Sequence, residues 1–341
     1  MALVISWYDF ICFAIVASSI FVSIWVLRRR EGAGKCDNGA MYQSLLVTQS
    51  DSNGIAGATR SGLVSSTQLW TSCWKGVHPI WLLGLRMVAG LVMAGILVWD
   101  VRRYDSSIFV YYTEWTFTLV IVYFALGTII SAHGCWTHSK EPVAKNEESS
   151  EFLKRDLEEC KSTTTITFRT YGIRGTVKLQ NHHDQEETEQ KGAGFLGYLM
   201  QTIYQTCAGA IMLTDLVFWF LIVPFLSTER LGLNLLMGCM HTLNAVFLLL
   251  DTALNNLPFP WFRLAYFVLW SSLYVVFQWV IHACGFTWWP YPFLELSTPW
   301  TPLWYLILAV IHIPCYGLYA LIVKVKNSIF SRLFPHAFVR S

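Results

Sequence analysis

Met237–Asp251 reads MGCMHTLNAVFLLLD, and the histidine inside so apolar a run decides how the chain must fold. Extended to Leu231–Leu254, the stretch reaches the length of about 20 residues that crosses a bilayer as a helix. An ionisable side chain in such a helix has to face protein or a water-filled cavity, because acyl chains cannot solvate it. His241 therefore calls for neighbouring helices, and it becomes a candidate functional residue by position alone.

Working outward, six further stretches have the same character: Ile5–Leu27, Ile80–Trp99, Ile108–Ser131, Thr206–Leu226, Phe262–Ala283 and Leu303–Val323. The composition agrees, with 54% hydrophobic, 16% aromatic and 13% charged residues. Soluble domains carry roughly 25% charged residues, and lipid-facing positions account for the deficit. The expected fold is an all-α, polytopic transmembrane helix bundle of seven spans, a six-helix core plus an N-terminal span. Gly194–Gln205, ahead of the fourth span, reads as an interfacial preface. Trp7, Tyr8, Tyr111, Tyr112, Trp288, Trp289, Trp300 and Trp304 gather at span ends, as aromatic belts do.

The first stretch has no basic residue before it and ends in Arg28-Arg29-Arg30. A cleaved signal would carry its charges in front, so this reads as an anchor with its N-terminus outside. Segments 28–79, 134–194, 255–263 and 324–341 then lie in the cytosol and hold nearly all Lys and Arg, against Arg102, Arg103 and Arg230 opposite. An odd number of spans leaves the C-terminus in the cytosol. The sequence does not distinguish endoplasmic reticulum from plasma membrane.

The chain divides into an anchor (1–30), a flexible cytosolic loop (31–79), spans two and three (80–133), a charged, largely disordered cytosolic loop (134–194), spans four to seven (195–323) and a tail (324–341). Within 134–194, TTTITFRTYGIRGTVKL alternates β-branched residues and is expected to form a hairpin. That loop is also the expected site for a cytosolic protein partner. The net charge of +2 and the absence of a basic stripe argue against nucleic acid. Nine cysteines are scattered without a CxxC pair or zinc spacing, so no metal and no cofactor is expected. Cys36, Cys73 and Cys135, near span ends, are candidates for palmitoylation.

Depth along the helices links two polar residues. Thr113 sits roughly 7 Å inside the outer boundary and His241 roughly 15 Å, from the 1.5 Å rise per residue. If their helices pack side by side, the imidazole can deprotonate the threonine hydroxyl as it attacks an acyl carbon. Asn244 shares the face of His241 and is an oxyanion candidate, while Asp215 and Glu114 are candidates for orientation. Asp251, ten residues beyond His241, is too far along the axis to orient it. The structural alternatives are an interhelical hydrogen bond for His241 and a helix cap for Thr113. Two other classes of function remain: a non-enzymatic membrane adaptor, and a proton-coupled transporter using Asp215, His241 and Asp251. The transporter class lacks paired inverted halves here.

Three motifs carry a family resemblance: Tyr112-Thr113-Glu114-Trp115 at a helix start, His241 followed by an apolar run to Asp251, and Tyr291–Glu295 after a span. Together they resemble the androgen-induced-gene and rolling-stone families of polytopic membrane proteins, over about two thirds of the chain from Ile80 onward. The former are threonine hydrolases of fatty acid esters of hydroxy fatty acids. The resemblance implies a lipid ester substrate, Thr113 as nucleophile and His241 as base. It also implies a pocket drawing on Trp115, Asp251, Tyr291 and Glu295. The surroundings of His241, with Asn244 and Asp251, look closer to the rolling-stone branch.

Overall fold

Backbone N–H and C=O groups have no water partners in lipid, so apolar runs of this length satisfy them internally as helices. The computed structural model describes residues 6–45, 65–159, 194–225 and 235–340. Its helices are α1 (Trp7–Leu45), α2 (Ile80–Tyr104), α3 (Tyr112–Glu159), α4 (Gly194–Val217), α5 (Leu235–Leu254), α6 (Leu264–Ala283) and α7 (Thr301–Leu333). All seven contain a segment long and apolar enough to span a bilayer. Among the described residues there is no β-strand, only isolated bridges at Ser72–Asn255 and Trp74–Phe338. The protein is an all-α, multi-pass membrane bundle.

α4 is the axis. It packs on α3, α5, α6 and α7, while α2 lies along α3 and α1 covers α6 and α7. Its apolar window is 56% buried, against 22–39% for the other spans. Close approach is built into the sequence: a Cβ on Gly209 would meet the Phe267 ring at 2.5 Å, so α6 sits directly on the α4 backbone there. The expected interfacial preface, Gly194–Gln205, is instead the first half of α4 itself. Its polar residues have partners that make this possible. Gln205 donates to the Pro258 carbonyl at 2.8 Å and accepts from Arg263 at 3.1 Å, and Tyr204 pairs with Thr252 at 2.9 Å.

Other boundaries also move. α2 continues through Arg102 and Arg103, whose charges suit a helix C-terminus. It stops at Asp105, where φ is +66° and Oδ1 accepts from the Ser106 N–H at 2.8 Å. α3 begins at Tyr112, not Ile108, because Ser106–Val110 forms a 3-10 turn. α1 runs on through residues 31–45, and α3 runs on through residues 134–159. Residues 65–79 are pinned as well. The Cys73 N–H donates to Leu254 O at 2.9 Å, and the Val339 N–H donates to Cys73 O at 2.8 Å. Cys73 is buried with its thiol on Ala253 O at 3.3 Å, which closes it to acylation. The expected hairpin falls outside the described residues, as does most of the expected partner segment beyond residue 159.

The end of the bundle nearest Arg28–Arg30 is locked by a polar network. The fully buried Arg86 and Asp251 pair at 2.8 Å. Arg86 also donates to Leu69 O and Ser131 Oγ, while Asp251 accepts from Tyr123 and Asn255.

Candidate active site in the bundle

The opposite end of the bundle holds a cavity of about 90 Å³. Thr113 of α3, Thr214 of α4, His241 of α5 and His312 of α7 all line it. Tyr112, Ser271 and Tyr291 add further hydroxyls, and the walls between them are apolar, including Leu213, Val217 and Val275. The sequence-based pairing of Thr113 and His241 thus meets in one hollow, reached from two helices far apart in sequence.

His241 is held from two sides. It is 4% exposed, with Nδ1 3.1 Å from Asp215 Oδ1. Its ring stacks on Phe218 at 3.9 Å and 9°. Thr214 and Asn244 reach the same Asp215 carboxylate. A carboxylate only accepts, so it fixes the proton of a neutral imidazole on Nδ1 and leaves Nε2 with its lone pair. Asp215 is therefore an orienting group, and Asn244 bonds that acid rather than lining the cavity. Local helix geometry contributes. Pro224 has no N–H to donate, and just ahead of it the helix opens into a π turn over Phe218–Ile222, with the Val223 N–H bonded to Phe218 O. Such turns recur at functional sites, and this one carries the ring that stacks on His241.

Thr113 stands in the first turn of α3, beside Tyr291. The phenol oxygen of Tyr291 lies within reach of the Thr113 hydroxyl and of the backbone at Tyr112 and Thr113. Burial pushes this phenol up to about 12, so it stays protonated at neutral pH. Tyr112 exchanges a hydrogen bond with Ser271 at 2.7 Å. Tyr274 and Gln278 both donate to Val110 O at 2.7 Å, fixing the turn that launches α3.

The remaining sequence candidates lie elsewhere. Glu114, one residue from Thr113, does not line the cavity, because consecutive helical residues point about 100° apart. It is buried, and Oε2 has no partner among the described residues. Trp115 packs on Trp270, Tyr274 and Phe277 behind the cavity. Glu295 is engaged with Ser297 at 2.8 Å, away from the lining. Asp251 belongs to the Arg86 network at the other end and is not a pocket residue. His282, in the last turn of α6, is held by its neighbours: Nδ1 meets Gln278 O at 2.7 Å, and the ring stacks on Trp289.

Sequence reasoning did not single out His312, although an ionisable residue inside the seventh span meets the criterion applied to His241. Nor did it find Thr214, Ser271 or a role for the Tyr112 hydroxyl, groups that gain meaning only from where the helices cross. Among the described residues no group of three or more His, Cys, Asp or Glu is placed to hold a metal ion.

Fold and cavity together define a multi-pass helical membrane protein with a largely apolar cavity in the bundle, lined by Thr113, His241 and His312 among others. Comparison with family models, curated proteins and solved structures finds no match for the chain.

Proposed function

We propose that the protein is an integral membrane hydrolase of lipid esters, with Thr113 as nucleophile and His241 as general base. One observation carries this reading: Thr113 and His241 line the same cavity, and Asp215 holds the imidazole by Nδ1. An interhelical lock would need only the His241–Asp215 bond. It would not call for a threonine hydroxyl in the same cavity.

The chemistry follows from the groups present. Nε2 of His241 takes the proton of the Thr113 hydroxyl as Oγ1 attacks the ester carbon. Asp215 stabilises the imidazolium that forms, as the acid of a serine-type triad does. The Tyr291 phenol, protonated and beside Thr113, donates to the developing oxyanion. The tetrahedral species collapses and expels the alcohol, which takes the proton from His241. Water then attacks the acyl-threonine, His241 accepts its proton, and the acid leaves as Thr113 regains its hydrogen. A cavity of about 90 Å³ admits the ester group and a few methylenes but not a whole lipid. The rest of each alkyl chain lies between helices in the bilayer, so the substrate enters laterally. The family resemblance points to fatty acid esters of hydroxy fatty acids as the substrate class. From the distribution of basic residues we place the cavity in the outer leaflet and the C-terminus in the cytosol.

The test is hydrolysis of such esters by purified protein in liposomes. Thr113→Ala and His241→Ala are each expected to abolish it, and a fluorophosphonate probe is expected to label wild type but not Thr113→Ala. Hydrolysis that survives both substitutions refutes the proposal.

A further inference from the structure

His312 is 6% exposed and lines the cavity from α7, which carries neither Thr113 nor His241. Its Nδ1 lies 2.6 Å from Leu308 O. A carbonyl oxygen only accepts, so Nδ1 carries the hydrogen and Nε2 is a bare acceptor. No described group donates to that nitrogen. The ring is fixed as well, packed on Phe267 at 4.4 Å. A buried acceptor left without a partner is costly, and His312 stands in the cavity wall, where a small donor in the cavity can satisfy it.

The two cavity histidines differ in what stands behind them. Asp215 behind His241 stabilises a positive imidazolium, which suits a base. His312 has only a peptide carbonyl behind it, which anchors the ring without offering a full countercharge. His312 is thus suited to accept a hydrogen bond and not to take up a proton.

We propose that His312 positions the water that deacylates Thr113. This rests on the hydrolase reading above and names the residue that reading leaves out. The water donates one O–H to Nε2 of His312 and the other to Nε2 of His241, leaving an oxygen lone pair free to attack. As the oxygen bonds to the acyl carbon, His241 takes the second proton and the bond from the acyl carbon to Thr113 Oγ1 breaks. His241 then returns the proton to Oγ1, and the carboxylic acid leaves with the water oxygen. The hydrogen on the His312 side stays with the product acid throughout. His312 is a positioning residue in the second half-reaction only; it makes no contribution to acylation.

The test separates the two halves. p-Nitrophenyl laurate is mixed with liposome-reconstituted protein, and the first-turnover burst, the steady-state rate and the mass of the intact protein are read together. His312→Phe and His312→Leu both remove the acceptor and keep an apolar ring or chain against Phe267, so one of them serves if the other fails to fold. Both are expected to keep the burst rate, to lose about 100-fold in steady-state turnover, and to accumulate a lauroyl adduct on Thr113. His312→Gln, which retains an acceptor oxygen, is expected to recover part of the loss. Equal loss of burst and steady state, or no loss of either, overturns the role of His312 while leaving the hydrolase reading intact. Wild type that gives neither burst nor turnover overturns both.

Discussion

Arg86 and Asp251 offer the sharpest test of what holds this bundle together. Both side chains are wholly buried and pair at 2.8 Å. Removing one partner leaves a charge in a site without water, which costs about 3–5 kcal/mol. The two single substitutions are not equivalent. Asp251→Leu leaves the guanidinium with neutral partners, Leu69 O, Ser131 Oγ and Tyr123, so it belongs at the upper end of that range. Arg86→Met leaves the carboxylate with donors from Tyr123 and Asn255, and protonation can discharge it, so it belongs at the lower end. The double substitution removes both charges. It forfeits hydrogen bonds worth roughly 1 kcal/mol each but strands no ion. Its expected cost is no larger than that of Asp251→Leu alone, an interaction energy of about 3 kcal/mol between the sites. The assay is equilibrium unfolding by SDS titration in mixed micelles, comparing wild type, both singles and the double. A double mutant whose cost equals the sum of the singles within about 0.5 kcal/mol refutes the argument, since additivity at that level marks independent sites.

Four further outcomes follow from particular residues. Asp215→Asn is expected to leave the helical content unchanged but to lower ester hydrolysis by about 10³-fold or more, because an amide can hold the imidazole in the wrong tautomer; kcat in liposomes is the readout. Tyr291→Phe is expected to reduce kcat by about 10²-fold if the phenol serves the oxyanion. Because burial raises that phenol to about 12, its proton is retained below that pH, and its contribution in wild type should not decline between pH 7 and 10. Gly209→Ala drives a Cβ into the Phe267 ring and should cost about 1–3 kcal/mol, whereas Gly95→Ala, with no atom within 4 Å, should be neutral or stabilising by up to about 1 kcal/mol; SDS titration separates them. Maleimide should label the exposed Cys284 rapidly in the native protein. It should label Cys73 slowly, since burial encloses that thiol and raises its pKa, leaving little thiolate at neutral pH; peptide mass mapping over time reads both rates.

Much of the site is visible before folding is considered. Bilayer thickness fixes helix length, so seven apolar runs announce seven helices. The expense of an ionisable group in lipid makes His241 and Asp215 conspicuous one at a time. Depth placed Thr113 and His241 in the same half of the membrane. What depth cannot supply is azimuth. Glu114 and Thr113 are neighbours in sequence and at one level, yet only Thr113 lines the cavity.

The sequence alone determined that this chain is a membrane bundle, because hydropathy is a property of each segment and needs no partner. The pairing of residues was decided by tertiary structure. Asp215 was a carboxylate in search of a partner until α4 and α5 packed and set it 3.1 Å from His241. Asp251, by contrast, was drawn away into a bond with Arg86, a residue 165 positions distant. His312 entered the cavity only because α7 closes its wall. The physical reason is common to all three: an isolated helix states which groups are costly to bury, and only the crossing of helices states what satisfies them.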